Sequence, residues 1–573
     1  KHLMSTALHI LEKYWGHNQF RPLQADIIDA VLAQKDVLAL LPTGGGKSIC
    51  FQVPALLQDG MCLVISPLIA LMQDQVKDLQ SKNIPAIALG GQLSEEAQEE
   101  IMKAAIRGKY KFIYCSPEKL AQKNFQDTLT QIKFTLFAID EAHCISQWGY
   151  DFRPSYRKLN ILKERFPNIP ILAMTASAIP TVQEDIMKQL AFKQANIITD
   201  SFLRPNLKYS VQKVSVKIHS LRNILNALTG NAIIYCNTRN NVTQLTQLLN
   251  NYGYKAGEYH AGMTIEARKM VQTNWMQDIT PIVVCTSAFG MGIHKGNVRA
   301  VVHYDIPGSV EQYYQEAGRA GRDGEYAEAT LLYQQNDWDY WIELQEKKYP
   351  SIDVIKKIFQ DLANFVQLPI GMGEKQQFPF DFENFCTVFK WDKIIARNAF
   401  SWIQQEGHIR FSESAFTPSM VQVIGDRASI ENFQLAQPEA GIVLQTLLRT
   451  YGGILDSPHF INEILLADLL QRDIPFVLQK LQLLSLHGMI SFDQKQNQPV
   501  VQFLWNRSAA SYMKLDLDHY QLMKKAFIER IKQFIGYLQG QTAICRSVYL
   551  AKYFGEKEAK PCGICDICIS TND

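Results

Sequence analysis

Three stretches of this chain hold the residue types that handle phosphate. The first is LALLPTGGGKSICFQ, residues 38–52, a glycine-rich turn between an apolar run and a helix start that ends on Lys47 and Ser48. In such a turn the backbone N–H groups of Thr43, Gly44, Gly45 and Gly46 close around phosphate oxygens, the lysine meets the β/γ oxygens and the hydroxyl holds Mg²⁺. The general pattern asks for glycine where Leu41 stands, so the match is to the PTGGGKS variant. The second stretch, FAIDEAHCIS at 137–146, ends an apolar run on Asp140 and Glu141, with His143 two residues on. There the first carboxylate is suited to hold Mg²⁺ through water and the second to orient an attacking water. The third, QEAGRAGRDG at 315–324, sets Arg319 and Arg322 three apart, on one side of a helical turn, where they can neutralise charge on a γ-phosphate. Each stretch alone also suits a blander role: an ordinary glycine loop, acids on a solvated loop, a surface arginine pair. In one chain, each after an apolar run, they read as one ATP site shared by two lobes.

A second kind of chemistry sits at the C-terminal end. Cys545, Cys562, Cys565 and Cys568 are spaced 17, 3 and 3 apart, and four thiolates can close a tetrahedral, structural Zn²⁺ site. A thioredoxin-like redox pair is the competing reading, against which stands the third cysteine at the same spacing. The other seven of the 11 cysteines are scattered singly, unlike a secreted disulfide framework, and a reducing cytoplasm fits best.

These residues need elements to position them. Short apolar runs (DVLALL, MCLVIS, YKFIYC, FTLFAID, IPILAMTAS, then NAIIYC, PIVVCTS, AVVHYD and EATLLY) alternate with amphipathic stretches from Asp36 to about Tyr340, the pattern of buried parallel strands in βαβ units. The series pauses over 196–218, which places a lobe boundary near Phe202 and gives two parallel-sheet lobes, 4–201 and 202–345. Lys1, His2 and Leu3 precede Met4 and are expected to lie outside the native fold. Beyond 345 the alternation stops. Residues 437–507 read as a winged-helix-like domain of three periodic helices and a strand pair, GMISFDQ and QPVVQFLW, around a polar turn. A weaker copy is expected over 346–430, with a strand at MVQVIG, and a helical zinc-binding module over 515–573. The fold class is therefore multidomain α/β, followed by winged-helix-like α+β and a small zinc module.

The 573 residues exceed one hydrophobic core. With 47% hydrophobic and 20% charged residues, and no apolar run near the roughly 18 residues that span a bilayer, no transmembrane segment, membrane partner or secretory leader is expected. A net charge of +2 does not announce nucleic-acid binding, so any DNA track must be local.

In order and content these motifs resemble the RecQ family of superfamily 2 helicases, over residues 10–340. FRPLQ is similar to the nucleotide-sensing segment, PTGGGKS to motif I, VISPLIALMQDQ to motif Ia, DEAH to motif II, LAMTASA to motif III, AIIYCNTR to motif IV, VVCTSAFGMGIHKGNV to motif V and QEAGRAGRDG to motif VI. The resemblance implies two RecA-like lobes, with Gln24 bonding adenine and Arg21 packing near it. It implies that Lys47, Ser48, Asp140 and Glu141 serve phosphates, Mg²⁺ and water, and that Gln315, Arg319 and Arg322 complete the site. His17 stands where relatives carry an aromatic residue beside adenine, and His294 where Asn or Asp is usual. CISQWGYDFRPSYRKL resembles the aromatic-rich loop that couples DNA to hydrolysis, which points to Trp148, Phe152 and Arg153; core packing is the other reading of Trp148. PCGICDIC resembles the family's zinc module, though that module normally follows the lobes closely and here about 180 residues intervene. The strand-separating hairpin is therefore not carried over to a named residue; the turn at 493–500 is a candidate. The small helical accessory domain of some relatives finds no counterpart. The implied function is a 3′ to 5′ ATP-dependent DNA helicase of recombination and repair, acting on single-stranded and on forked or tailed duplex DNA, in the cytoplasm or at a bacterial nucleoid. Competing readings are a DNA-stimulated remodelling or annealing ATPase, an RNA helicase and a non-enzymatic zinc-stabilised winged-helix binder.

Overall fold

The computed structural model describes residues 2–42, 44–90, 95–146, 148, 153–194, 196–290, 295–412, 419–451, 454–455, 459–493, 499–507, 513–540 and 543–572. The chain divides into two units, Lys1–Ile342 with Gln521–Asp573, and Glu343–Tyr520.

In the first lobe of the first unit, β1 (Val37–Leu40), β2 (Met61–Ile65), β3 (Ala86–Leu89), β4 (Phe112–Cys115), β5 (Phe134–Ile139), β6 (Ile171–Thr175) and β7 (Ile197–Thr199) form one sheet. Its order is β3-β4-β2-β5-β6-β1-β7, and every pairing is parallel. The second lobe contains β8 (Leu207–Lys213), β9 (Asn231–Tyr235), β10 (Ala256–Tyr259), β11 (Ile282–Cys285), β12 (Val298–His303) and β13 (Ala327–Tyr333), in order β10-β11-β9-β12-β13-β8 and again all parallel. Strands β1, β2, β4, β6, β9 and β11 are buried along their whole length, because crossover helices cover both faces of a parallel sheet. That burial is why they read as unbroken apolar runs. The phosphate loop follows β1, the acidic pair follows β5 and Ser177 follows β6, so three adjacent strands of the sheet present the site at their C-terminal ends, as open α/β sheets do. The N-terminal helix runs His2–Trp15 and so begins ahead of Met4.

The last 53 residues of the chain, Gln521–Asp573, belong to the same unit as the lobes. Phe554 stacks on Phe202 of the segment between the lobes, with ring centroids 4.8 Å apart and an interplanar angle of 15°. Phe534 meets Trp341 edge-on at 5.7 Å, and Tyr537 Oη donates to Tyr313 Oη at 3.2 Å. Glu556 caps the inter-lobe segment, accepting from the Phe202 amide at 2.8 Å and the Ser201 hydroxyl at 2.9 Å.

The second unit contains two winged-helix folds, one inserted into the wing of the other. The outer one runs from helix Ile352–Phe365 through β14 (Gln377–Pro379), helices Phe382–Phe389 and Lys393–Gln405, and β15 (Ile409–Ser412), and is completed by β19 (Val500–Phe503), in sheet order β14-β19-β15. Between β15 and β19 lies the inner one: β16 (Met420–Val423), helix Arg427–Ala436, helix Pro438–Thr450, β17 (His459–Phe460), helices Glu463–Leu470 and Ile474–Leu486, and β18 (Ile490–Asp493), in order β17-β16-β18. Both repeat helix, strand, helix, helix, strand. The outer fold takes its central strand from its end, the inner from its beginning, which makes the inner a circular permutation of the outer.

This arrangement corrects the sequence reading. The strands in GMISFDQ and QPVVQFLW do not pair: β18 runs antiparallel to β16, and β19 pairs with β14 and β15. Likewise the strand in MVQVIG belongs to the inner fold, not to the segment 346–430 that precedes it. A short polar stretch between two strands looks the same as a hairpin turn or as a crossing between sheets, and the choice is made by cores distant in sequence. Val501 and Phe503 are buried in the outer fold, where Phe503 meets Phe359 and Phe378. Ile490 is buried with Val421, Val443, Leu447 and Leu481 in the inner one.

Candidate functional site

Gly46 precedes helix Lys47–Leu57 with φ +75°, a left-handed conformation that glycine adopts without a Cβ penalty. The helix then starts with its free N–H groups at the end of β1, a ready anion site. Lys47 and Ser48 open that helix and are half-buried; Thr43 lies outside the described residues. The two residues expected at adenine are tied to the same loop. Gln24 Nε2 donates to Gly46 O at 3.0 Å, Gln24 Oε1 accepts from the Arg21 amide at 2.9 Å, and the Arg21 guanidinium donates to Gly44 O. His17 is exposed on the segment before them.

Asp140 and Glu141 face Lys47 at the end of β5. Burial, reinforced by Glu141, pushes the Asp140 carboxyl up to about 6 against the pull of Lys47. Burial would raise Glu141 too, but Lys47, His143, Arg319 and Arg153 outweigh it and hold Glu141 below the ordinary carboxylate range. Burial and the Glu141 charge penalise an ionised Asp140, a penalty that a bound Mg²⁺ would relieve, while Glu141 stays ionised among its cations; the pair thus suits one metal-facing and one water-orienting carboxylate. Glu141 holds φ +50°, a left-handed backbone uncommon outside glycine. Its Oε2 lies 3.3 Å from His143 Nδ1 and is buried without a hydrogen bond, leaving an acceptor in place for a water. His143 Nδ1 is also 2.9 Å from Thr175 Oγ1 at the end of β6, which links the acidic stretch to the LAMTASA stretch.

The second lobe supplies the cations. Arg322 brings its Cγ and Cδ against Gly44, where a Cβ would stand 3.2 Å from each. Burial and the neighbouring Arg319 push its guanidinium down to about 9, still protonated at neutral pH. Arg319 is buried and donates to Gly290 O. Gln315 Nε2 crosses to the first lobe and donates to Ser177 Oγ at 2.7 Å. All three follow from helix Val310–Ala317 and the turn after it.

Trp148 is half-buried and packs on the main core. Its amide donates to Ser146 Oγ at 3.2 Å, and that hydroxyl donates to Asp185 at 2.6 Å. Arg153 Nη1 donates to Pro67 O at 3.3 Å, joining this loop to the VISPLIAL stretch. Phe152, His294 and residues 494–498 of the 493–500 turn lie outside the described residues.

The Sγ atoms of Cys545, Cys562, Cys565 and Cys568 all lie within 4.8 Å of one another. Cys545 is 3.4 Å from Cys562 and 3.9 Å from Cys565, close to the edge of about 3.8 Å that a tetrahedron with Zn–S near 2.3 Å requires. The backbone amides of Cys562, Arg546 and Cys568 donate to these sulfurs at 3.2–3.4 Å, which suits thiolates. The four residues fit Zn²⁺.

Several functional contacts had no signal in the sequence. Arg204, in the segment between the lobes, donates to Gly318 O, Ala320 O and Gly321 O and braces the turn that holds Arg319 and Arg322. Asp566, between the zinc cysteines, accepts from both Arg546 and the Val211 amide and so ties the module to β8.

A phosphate loop and acidic pair on one parallel-sheet lobe, faced by arginines from a second, define a two-lobed ATP-dependent helicase motor. Residues 21–186 match the DEAD/DEAH box helicase family and 216–324 the helicase conserved C-terminal domain. Residues 421–494 match the RecQ helicase winged-helix domain, Bacteroidota, and 505–569 the RecQ zinc-binding domain. The chain is 43% identical over 416 residues to the ATP-dependent DNA helicase RecQ of Haemophilus influenzae, an alignment covering 70% of this chain and 67% of that protein. It is 42% identical over 388 residues to that of Pasteurella multocida, covering 66% and 61%, and 40% identical over 364 residues to that of Bacillus subtilis, covering 62% of each. The chain belongs to the RecQ family of ATP-dependent DNA helicases. No helix among the described residues is long and apolar enough to cross a membrane.

Proposed function

We propose that this chain moves 3′ to 5′ along single-stranded DNA and unwinds forked or tailed duplexes. The observation that carries the reading is Arg322 seated on the phosphate loop from the opposite lobe, the placement that lets ATP binding and loss close and open a cleft. Lys47 and the Gly44–Gly46 turn hold the phosphates. Ser48 and Asp140 would hold Mg²⁺, which when bound neutralises phosphate charge. Glu141, with His143 beside it, orients the attacking water; Arg319 and Arg322 stabilise charge as the γ-phosphate leaves, and Gln315 couples the lobes. Gln24 and Arg21 report an adenine directly to the loop they already hold, with His17 at the rim. Trp148, Phe152 and Arg153 form the DNA-responsive loop, an aromatic platform that grips any base sequence. The zinc-ready cysteines suit a reducing cytoplasm, and in a bacterium the nucleoid is the place of work.

The test is steady-state ATP hydrolysis with and without single-stranded DNA for wild type, Lys47→Ala and Trp148→Ala, followed by strand displacement on 3′- and 5′-tailed duplexes. Strong DNA stimulation, loss of turnover in Lys47→Ala, weak stimulation in Trp148→Ala and displacement on the 3′ tail support the reading. An ATPase indifferent to DNA overturns it, and stimulation without displacement leaves a remodelling or annealing ATPase.

A further inference from the structure

Arg530 sits on helix Leu517–Gln539, outside both lobes, yet it touches each. Its Nη1 donates to the main-chain oxygen of Trp148 at 2.8 Å. The same nitrogen lies 4.0 Å from Glu311 Oε1, at the outer edge of an ion pair. Glu311 opens helix Val310–Ala317, which carries Gln315 one turn further on and leads to Arg319. The Glu311 carboxylate is 3% exposed; Tyr553 Oη donates to its Oε1 at 2.7 Å, and its Oε2 is buried without a hydrogen bond. A buried carboxylate so placed favours a closer cation, because an uncompensated buried charge is costly.

We propose that Arg530 is a positioning residue that couples DNA to hydrolysis: it exchanges between the Trp148 backbone in lobe one and Glu311 on the lobe-two helix that carries Gln315. The proposal rests on the reading of the Trp148 loop as the DNA-responsive element. The amide side of Trp148 is fixed by Ser146, so a shift of this residue when the loop takes a base acts on its carbonyl side, where Arg530 is the donor. Once released, the guanidinium has a buried carboxylate within about an ångström of full contact, and pairing there pulls on the helix whose next turn reaches Ser177 across the cleft. The C-terminal module is thereby a working part of the motor and not only a brace for it.

Arg530→Gln, Arg530→Lys and Glu311→Gln in the full chain test this, with four readouts: hydrolysis without DNA, hydrolysis at saturating single-stranded DNA, DNA affinity by fluorescence anisotropy, and bound zinc. Arg530→Gln is expected to keep its zinc and DNA-free turnover, to bind DNA within about threefold of wild type, and to lose about tenfold in DNA stimulation. Arg530→Lys, which keeps the charge, recovers part of that loss, and adding Glu311→Gln to Arg530→Gln costs little more. Wild-type stimulation in Arg530→Gln overturns the proposal. So does loss of zinc or DNA-free turnover in both Arg530 variants, which would make the residue a brace. Wild type that ignores DNA is a different failure, that of the helicase reading itself.

Discussion

Arg322 reaches from the second lobe until its Cγ and Cδ lie against Gly44 of the phosphate loop, where an added Cβ would stand 3.2 Å from each, tight enough that the arginine must give way. Gly44 also holds φ +87°, so a side chain there is opposed both by the arginine and by its own backbone. Arg322→Ala is expected to lower DNA-stimulated kcat by about 10³-fold, the scale of a charge-stabilising arginine in phosphoryl transfer, while nucleotide affinity changes little. Gly44→Ala is expected to weaken both, since it deforms the loop and displaces the arginine. Nucleotide titration and single-turnover hydrolysis separate the two; an Arg322→Ala enzyme that loses only affinity contradicts the placement.

The bond from Gln315 to Ser177 crosses between the lobes, and the serine is 2% exposed. Removing Gln315 leaves that hydroxyl buried without its donor, at a cost of about 1–3 kcal/mol to any state that needs the bond. Gln315→Ala, Ser177→Ala and the double variant are expected to lose DNA-stimulated turnover to similar extents, with the double no worse than either single. Additive losses would mean that the two side chains act separately.

How much of this was legible in the sequence follows from burial. The nine apolar runs coincide with strands buried on both faces. Strands β3, β7, β8 and β10 were not among them, and these four are the edges of the two sheets. Ile197 and Thr199 of β7 are exposed, and Gly257, Glu258 and Tyr259 of β10 are half-buried. An edge strand has one neighbour and partial cover, so it carries no continuous apolar signal. Lys47, Asp140, Glu141 and the arginines stood out because phosphate chemistry fixes their spacing along the chain. Arg204, Arg530 and Asp566 did not, because their partners lie far off in sequence and a lone charged residue has no pattern.

The module that the zinc cysteines close holds the inter-lobe segment through Phe554 and Glu556. Structural zinc sites contribute binding energy on the order of 10–16 kcal/mol to their own folding, a large addition for so small a module. Stripping the metal, or Cys568→Ser, is expected to lower the melting temperature and to abolish DNA-stimulated hydrolysis, with a change in tryptophan emission as Phe534 leaves Trp341. Full turnover in zinc-free protein would show that the lobes need no such clamp.

The nested winged helices give the last expectation. In the outer sheet Ser412 pairs with Val500, and in the inner sheet Met420 pairs with Asp493, both antiparallel, so the chain leaves the outer wing and returns to it at opposite residues. An insertion that departs and returns at paired positions can be removed without opening the host, because a two-residue Asn-Gly turn closes such a ribbon. Replacing residues 413–499 by Asn-Gly is therefore expected to leave an outer fold that retains its core of Phe380, Phe385, Phe400 and Phe503. Hydrolysis stimulated by single-stranded DNA should remain within about twofold of wild type, as at other tolerated insertion sites. Residues 419–493 alone should fold as well, since β16, first in the segment, is the centre of its sheet and pairs with β18, the last. Circular dichroism and melting of both pieces check this. If the shortened chain fails to fold while the isolated segment does, the outer fold depends on its guest, and the wing is a single structural unit and not a host with an insertion.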